Sequence, residues 1–271
     1  MNKYKLSIIT INRNNAEGLR KTIESVISQT FTDFEYIVID GNSTDESVSI
    51  IKEYESRIQY WVSEPDSGIY NAMNKGILKA TGDYCLFLNS GDYLISNNIL
   101  GNVLSYLDDT EILFGDGKVQ LKVNQFEEYI IPNPLTFEYL VFHSLFHPST
   151  FIKRDLFNKY GLYNEKNKIV SDWEFFLKVI NLNDISVRKI PYFISIAADE
   201  GISRNTNYTD LLYKEIEGVK NKYFSRFLLS YIESNVHIRA ENIKLNIQIN
   251  EYKKPIKVIK LFLKRLIKNN N

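Results

Sequence analysis

The chain has 271 residues, 44% of them hydrophobic, which suits one large globular domain or one domain with an appendage. Its 33 basic and 33 acidic residues cancel, which argues against a nucleic acid as partner. The single cysteine, Cys85, excludes an intramolecular disulfide framework and favours a reducing cytoplasm. No apolar signal segment precedes the first predicted strand, and no stretch reaches the ~18 uncharged apolar residues of a membrane span.

Predicted strands and helices alternate from the first strand to Asp92. Apolar runs predict strands at 5–11, 34–39, 58–62 and 84–88. Apolar residues at helical spacing predict a helix after each of the first three strands. With short connections, this alternation indicates a parallel, doubly wound sheet. The last run, YCLFL, is uninterrupted, which is typical of a central strand covered on both faces.

Each of these strands ends at a polar corner. The corners contain, in chain order, Asn12 with Arg13, then Asp40, then Glu64 with Asp66, and finally Asn89 with Asp92. Because the carboxyl ends of parallel strands lie at one edge of a sheet, we expect the corners to converge there, where open α/β sheets bind ligands. Asp92 follows the central strand, so it is predicted to hold a divalent metal and, through it, a diphosphate.

The pattern is less regular beyond Asp92. Two short strands are predicted on either side of Asp116-Gly117, a dipeptide typical of hairpin turns. Two further strands are predicted at 185–190 and 192–197. From Tyr208 onward the pattern is helical.

Several motifs along the chain identify a family. They are SIITINRN at 7–14, VIDGNSTD at 38–45, EPDSGIYNAMNKG at 64–76, ATGDY at 80–84, LNSGD at 88–92 and SDWE at 171–174. Together, in this order, they resemble family 2 of the inverting glycosyltransferases, which have the GT-A fold and use nucleotide-diphospho-sugars. The resemblance covers roughly residues 5–204 and is to enzymes of the bacterial surface-polysaccharide type.

The resemblance implies an α/β fold of GT-A type. Its central sheet is Rossmann-like, mainly parallel and flanked by helices, with a small antiparallel element and a C-terminal helical tail. The glycosyltransferase domain is expected at 1–205, with a nucleotide-binding half at 1–95 and an acceptor half at 96–205. A helical extension with a basic amphipathic end is expected at 206–271.

The resemblance also implies residues that bind the donor nucleotide. Thr10 and Asn12 would line the base and ribose, and Asp66 and Asn74 would lie close to the nucleotide. Asp40 would accept a hydrogen bond from the base. A carboxylate there suits the N–H groups of uracil or guanine, so a UDP-sugar is the expected donor.

Two carboxylates are expected to carry the chemistry. By resemblance, Asp92 binds the Mn²⁺ or Mg²⁺ that neutralises the departing diphosphate, and Asp172 is the general base for the acceptor hydroxyl. Two departures from the family pattern stand out. The metal corner has Asn89 and Gly91 where relatives commonly supply aspartates. Met73 stands where arginine is common, so a phosphate or base contact is expected from Arg13, Lys75 or Arg204.

Structural alternatives stand beside these roles. Asp40 could serve merely as a helix cap, and Asp66 could serve merely as a turn residue. Asp92 could be a solvated turn residue. Asp172 could be only a first-turn acid favoured by the helix dipole. Substrate contacts are also assigned to His147, Trp173 and Arg204, although His147 could pack among aromatic residues and Trp173 could fill the core.

The sequence therefore predicts an inverting, metal-assisted glycosyltransferase of the hexosyl- or N-acetylhexosaminyl-transferase class, acting on a glycan or lipid-linked acceptor. The alternative is a sugar-nucleotide-binding protein with weak catalysis. A sugar nucleotidyltransferase is disfavoured because no glycine follows the first strand until Gly18. A dinucleotide-binding enzyme is disfavoured because no G-x-G-x-x-G follows a strand.

The C-terminal segment 252–268 carries basic residues opposite an apolar face at helical spacing. This pattern favours peripheral contact with an anionic membrane, on the inner face if the protein is cytoplasmic. The alternative is a helix that docks on its own domain.

Overall fold

The computed structural model describes residues 4–181, 183, 185–199 and 201–235. The chain divides into two compact units, Met1–Val219 and Lys220–Asn271. In the second unit, residues 226–235 are helical. The predicted membrane-binding segment 252–268 lies outside the described residues. Among the described helices, none has the length and apolar character needed to cross a bilayer.

A mixed sheet forms the centre of the first unit. Its strands are β1 (Leu6–Asn12), β2 (Phe34–Asp40), β3 (Tyr60–Ser63), β4 (Tyr84–Phe87), β5 (Tyr93–Leu94), β6 (Ile112–Lys122), β7 (Gln125–Tyr129), β8 (Thr150–Lys153) and β9 (Val187–Ala198). Their order is β3-β2-β1-β4-β8-β6-β9-β5, and β7 pairs with β6. The first four strands in this order, β3, β2, β1 and β4, run parallel, whereas β8 runs antiparallel to both β4 and β6.

The helices are α1 (Ala16–Ile27), α2 (Ser47–Glu53), α3 (Ile69–Lys79), α4 (Ile99–Leu104), α5 (Phe137–Phe142), α6 (Asp155–Tyr160), α7 (Ser171–Phe176) and α8 (Thr209–Tyr223). Apolar residues of α1, α2 and α4 share one core cluster with alternate residues of β1, β2 and β4. Helix α3 packs against β1 and β2. The predicted α/β class with a largely parallel central sheet is confirmed.

Strand register confirms that the corners meet at one edge. Asn12 at the end of β1 is aligned with Asp40 at the end of β2, and Asp40 is aligned with Ser63 at the end of β3. The backbone N–H of Gly41 donates to Asn12 O at 2.8 Å. The backbone N–H of Ser90 donates to Ile11 O at 3.0 Å, which brings the fourth corner beside the first.

The hairpin predicted at Asp116-Gly117 is wrong. Strand β6 runs through this dipeptide, because Asp116 is used in packing rather than in a turn. Its Oδ1 accepts the Ile131 N–H at 2.9 Å and pairs with Lys189 at 2.7 Å. A Cβ at position 117 would lie 2.0 Å from the Phe146 ring, so the glycine allows that ring to approach. The two predicted late strands are likewise one continuous strand, β9.

Candidate active site

The Asp40 carboxylate is fully buried and its hydrogen-bonding capacity is filled by the protein. Oδ1 accepts from Asn12 Nδ2 at 2.7 Å and from Ser43 Oγ at 2.6 Å. Oδ2 accepts from the Ser43 N–H at 2.9 Å and from Ser63 Oγ at 2.6 Å. A carboxylate offers about four acceptor sites, and four donors occupy them. These contacts favour a role in locking three corners together, and base recognition by Asp40 stays a prediction.

Asp66 presents its carboxylate at the same edge. Its Oδ1 accepts the Gly68 N–H at 2.9 Å, which shapes the turn into α3. Its Oδ2 lies against Gly41, so closely that a Cβ at position 41 would be 2.2 Å away. The side chain of Arg13 also borders this position. Asp66 therefore has an oxygen without a protein donor, in the described part of the chain, at the place where the first two corners meet.

The Asn89–Asp92 corner is organised around backbone contacts. Asp92 is 7% exposed, and its two carboxylate oxygens accept the N–H groups of Asn89 and Ala198, each at 3.2 Å. Burial raises the pKa of the Asp92 carboxyl to about 7. The Asn89 Oδ1 atom is buried and has no hydrogen-bond partner among the described residues.

These donors do not fit a metal held by the protein alone. Asp92 supplies the one carboxylate at this corner, and each of its oxygens already accepts one backbone N–H, which leaves about half of its acceptor sites. Across the described ranges, no three His, Cys, Asp or Glu side chains are grouped as metal ligands. A hard divalent cation prefers several oxygen ligands, and Asn89 adds a single neutral one. The metal role of Asp92 stays a prediction from the sequence.

Asp172 lies in the first turn of α7 and is partly exposed. The Tyr70 hydroxyl, from the first turn of α3, lies 2.7 Å from Asp172 Oδ1 and 2.6 Å from the backbone oxygen of Ile169. In the part of the chain that the structure describes, Asp172 Oδ2 has no hydrogen-bond donor. One carboxylate oxygen is thus fixed and the other is available, as a general base requires.

Helix α3 also holds the segment that precedes Asp172. Asn74 Nδ2 donates to Tyr163 O at 2.9 Å and to Glu165 Oε1 at 2.8 Å, and Asn74 Oδ1 accepts the Tyr163 N–H at 3.0 Å. Asn71 Nδ2 donates to Glu165 Oε2 at 2.9 Å. The contacts of Asn74 therefore favour support of this segment, and its predicted place beside the nucleotide stays a prediction.

Glu215, on α8, also binds the segment that precedes Asp172. Its carboxylate accepts the N–H groups of Lys168 and Ile169 at 2.8 and 2.9 Å. The sequence did not single out Glu215, because nothing in a surface helix indicates a distant backbone partner. Tyr70 was likewise missed, although it lies inside the EPDSGIYNAMNKG motif.

His147 and Trp173 are held inside the protein. His147 is 8% exposed, stacks on Phe87 at 4.9 Å between ring centres, and lies with Nε2 2.9 Å from the Tyr163 hydroxyl. Burial lowers the pKa of His147 below its ordinary value, which favours the neutral ring. Trp173 is 6% exposed and donates from Nε1 to Leu140 O at 2.7 Å. These contacts favour the packing alternative for both residues.

Thr10 and Arg204 also have protein partners. Thr10 is buried, with Oγ1 3.0 Å from the Tyr36 hydroxyl. Arg204 forms ion pairs with Glu127 at 2.9 Å and with Asp199 at 2.6 Å. Their roles toward nucleotide and substrate stay predictions from the sequence.

Comparison with known proteins identifies the family. The Glycosyl transferase family 2 profile matches residues 7–159, more than half of the chain. The chain belongs to glycosyl transferase family 2. The sequence prediction of that family and of a GT-A glycosyltransferase is thereby confirmed, whereas inversion and the surface-polysaccharide type stay predictions.

The chain is also similar to one curated relative and to two solved structures. A PGL/p-HBAD biosynthesis glycosyltransferase of Mycobacterium bovis is 31% identical over 176 residues, covering 62% of this chain and 67% of that protein. TarS 1–349 from S. aureus, solved with UDP-GlcNAc, superposes with a TM-score of 0.60 at 19% identity, covering 73% of this chain and 59% of that one. The mannosyltransferase PcManGT from Pyrobaculum calidifontis was solved with GDP-Man and Mn²⁺. It superposes with a TM-score of 0.55 at 13% identity, covering 86% of this chain and 80% of that one. The two structures show a shared fold.

Proposed function

We propose that this family 2 enzyme transfers a hexosyl or N-acetylhexosaminyl group from a nucleotide-diphospho-sugar to a glycan or lipid-linked acceptor, with inversion. A UDP-sugar is the proposed donor. The observation that carries the proposal is the arrangement of Asp172, with Oδ1 held by Tyr70 and Oδ2 without a donor among the described residues. The UDP-GlcNAc complex of TarS supports the proposed donor class. The Mycobacterium bovis relative, a PGL/p-HBAD biosynthesis glycosyltransferase, supports glycosyl transfer.

Donor binding is proposed at the converged corners. Asp66 Oδ2 would accept a ring N–H of the base, and Arg13, exposed beside it, would meet a phosphate. Asn12 Oδ1 and Asn89 Oδ1 are buried without partners in the described residues. Leaving such an acceptor unpaired costs about 1–3 kcal/mol. Hydroxyl donors of a ribose or sugar would satisfy these oxygens, which supports a polar ligand at this edge.

The proposed reaction is an in-line displacement at the anomeric carbon. Asp172 Oδ2 takes the proton of the acceptor hydroxyl while the acceptor oxygen bonds to that carbon. The bond to the diphosphate breaks, and its electron pair leaves with the diphosphate. A positioned base of this kind contributes a factor of about 10²–10⁴ in rate. Because the donors at the Asn89–Asp92 corner do not fit a protein-held cation, no step is assigned to a metal.

The second candidate function is sugar-nucleotide binding with weak catalysis. The observation that favours it is that the Asn89–Asp92 corner carries a single carboxylate, which leaves little protein charge there to organise a cation on the diphosphate. Transfer and hydrolysis assays separate the two functions, because a pure binding protein would be stabilised by its donor without turning it over.

The decisive experiment combines binding and turnover on the full chain. A thermal-shift panel of UDP-, GDP- and dTDP-sugars, each with Mn²⁺ and with EDTA, identifies the donor and tests metal assistance. Asp172→Asn keeps the Oδ1 acceptor for Tyr70, so donor stabilisation is expected to persist while turnover falls at least 100-fold. Asp155→Asn, an exposed first-turn aspartate of α6, is the matched control. Full turnover in Asp172→Asn would remove Asp172 as the base.

Two other sequence predictions complete the proposal. The catalytic domain is proposed to span 1–205, followed by the helical extension 206–271. A cytoplasmic location with peripheral membrane contact through 252–268 is proposed from the basic amphipathic pattern. Sedimentation of the full chain with anionic vesicles at low salt, and its loss on deleting 252–271, tests this contact. A full-length protein that stays in the supernatant would contradict it.

A further inference from the structure

The Tyr70 hydroxyl has one proton and two acceptors. Its oxygen lies 2.6 Å from Ile169 O and 2.7 Å from Asp172 Oδ1. A backbone carbonyl and an ionised carboxylate both accept and neither donates. The single phenol proton can therefore serve only one of these two oxygens at a time, or divide its occupancy between them.

We propose that Tyr70 is a positioning residue that orients Asp172 and favours its ionised form by sharing one proton between the carboxylate and the Ile169 carbonyl. This inference rests on the proposed role of Asp172 as the base. An ionised carboxylate is a stronger acceptor than an amide carbonyl, so the proton points to Asp172 Oδ1 before the reaction. Once Oδ2 has taken the acceptor proton, Oδ1 belongs to a neutral acid and the phenol proton turns to Ile169 O.

The two acceptors are held in place from different directions. Ile169 O faces Tyr70, while the N–H of Ile169 is bound by Glu215 at 2.9 Å. The tyrosine ring itself is buried and packs against Tyr163, with ring centres 5.7 Å apart. Because neither the ring nor the carbonyl needs to move, the proton can change partner by rotation of the hydroxyl alone.

The buried tyrosines and the histidine around Asp172 have pKa values shifted toward their neutral forms. Burial raises the pKa of Tyr70 and of Tyr163 well above the ordinary tyrosine value, and the charge of Asp172 adds to both shifts. Burial also raises the pKa of Tyr129, on β7, and lowers that of His147, in the 3-10 turn 147–149. Tyr70 is the residue in the described ranges that donates a hydrogen bond to the carboxylate.

Carboxylates on the surrounding segments are engaged elsewhere. Glu174, on α7, accepts from the side chains of Asn164 and Asn167, each at 2.8 Å. Glu165 accepts from side-chain amides of α3, and Glu215 accepts backbone N–H groups. Removal of the Tyr70 hydroxyl is therefore expected to act on Asp172 directly.

The test is Tyr70→Phe in the full chain, with turnover of the identified donor measured against pH. Loss of one hydrogen bond to a charged group is expected to lower kcat about 10- to 100-fold. The acid limb of the kcat/KM profile is expected to move to higher pH by about one unit, because a donor to the ionised form is gone. Donor binding is expected to change little: the donor concentration that gives half of the thermal shift should stay within about twofold of the native value.

Tyr84→Phe is the matched control. Tyr84 is another buried tyrosine, and its hydroxyl donates to backbone oxygens of Asp108 and Thr110 instead of a carboxylate. Its removal is expected to leave the acid limb in place. A Tyr70→Phe enzyme with an unmoved acid limb would overturn the proposal, even if kcat fell, because a merely structural tyrosine would behave in that way.

A second variant covers the case in which Tyr70→Phe does not fold. Incorporation of 3,5-difluorotyrosine at position 70 keeps the ring and strengthens the phenol as a donor, so the acid limb is expected to move to lower pH. An unmoved limb would again overturn the proposal. Asp172→Asn separates this outcome from failure of the proposed function. If Asp172→Asn is inactive but the acid limb does not move in the Tyr70 variants, only the role of Tyr70 is contradicted.

Discussion

Asn74 and Tyr163 exchange two hydrogen bonds. The Asn74 amide donates to Tyr163 O at 2.9 Å and accepts from Tyr163 N at 3.0 Å, so a side chain of α3 completes the backbone pairing of the segment before α7. Asp66, just before α3, lies at the converged corners, and Tyr70, in the first turn of the helix, contacts Asp172. One helix therefore connects the proposed donor site to the proposed base.

Asn74→Ala is expected to lower the free energy of unfolding by about 2 kcal/mol, because it leaves a buried N–H and a buried C=O of Tyr163 unpaired. The expected kinetic effect is a lower kcat with unchanged donor binding, since the affected segment carries Asp172. Urea unfolding and the donor thermal shift measure the two effects. Asn158→Ala, at an exposed site on α6, is the control. A loss of donor binding with unchanged kcat would instead support the nucleotide contact predicted from the sequence.

Glu215→Gln is expected to lower kcat about fivefold to tenfold, because a neutral amide offers one acceptor oxygen to two backbone N–H groups that both oxygens of Glu215 now bind. The effect reaches Asp172 through Ile169 and is measured by steady-state turnover at saturating donor. Glu217→Gln, exposed on the same helix, provides the control. Equal activity of the two variants would show that α8 does not support the base.

Gly41→Ala is expected to weaken donor binding about tenfold or more without unfolding the protein. The added Cβ would lie 2.2 Å from Asp66 Oδ2, and a flexible carboxylate can move away where backbone could not. The measurement is the donor concentration that gives half of the thermal shift. Gly218→Ala, where an added Cβ meets nothing within 4 Å, is the matched control. Unchanged binding in Gly41→Ala would remove Asp66 as the residue that contacts the base.

Asp92 is expected to make stability depend on pH. Its folded-state pKa is about 7, raised by burial, against about 4 for an unfolded aspartate. Between these values the folded state keeps a proton that the unfolded state has lost, so stability is full below pH ~4 and falls as pH rises to ~7. Three pKa units correspond to a loss on the order of 4 kcal/mol.

Asp92→Asn removes this titration. The Tm of the native protein, relative to that of Asp92→Asn, is expected to fall by several degrees between pH 5 and about 7.5, measured in EDTA. A constant difference would indicate that Asp92 is ionised in the fold throughout this range, as its predicted role on a metal requires. Repeating both melts with Mn²⁺ and the donor nucleotide then tests that role directly.

Much of the fold could be predicted from the sequence. The strand ends at Asn12 and Asp40 were predicted to within one residue because apolar runs and polar corners are local features. Parallel strands then bring their carboxyl ends to one edge. The turn predicted at Asp116-Gly117 was wrong because contacts with distant segments decide the structure there. Its local turn preference is outweighed by a partner far along the chain, Lys189, and by the Phe146 ring that needs the glycine.

The sequence by itself determined the family, the order of strands and helices in the first half, and the corners that carry polar residues, since each of these follows from neighbouring residues. The tertiary structure decided which of those side chains have an oxygen left for a ligand. Asp40 and Asp66 are the same residue type at adjacent corners, yet Asp40 has four protein donors whereas Asp66 Oδ2 has none in the described chain. Hydrogen-bond saturation depends on contacts between distant segments, which no spacing along the chain can reveal.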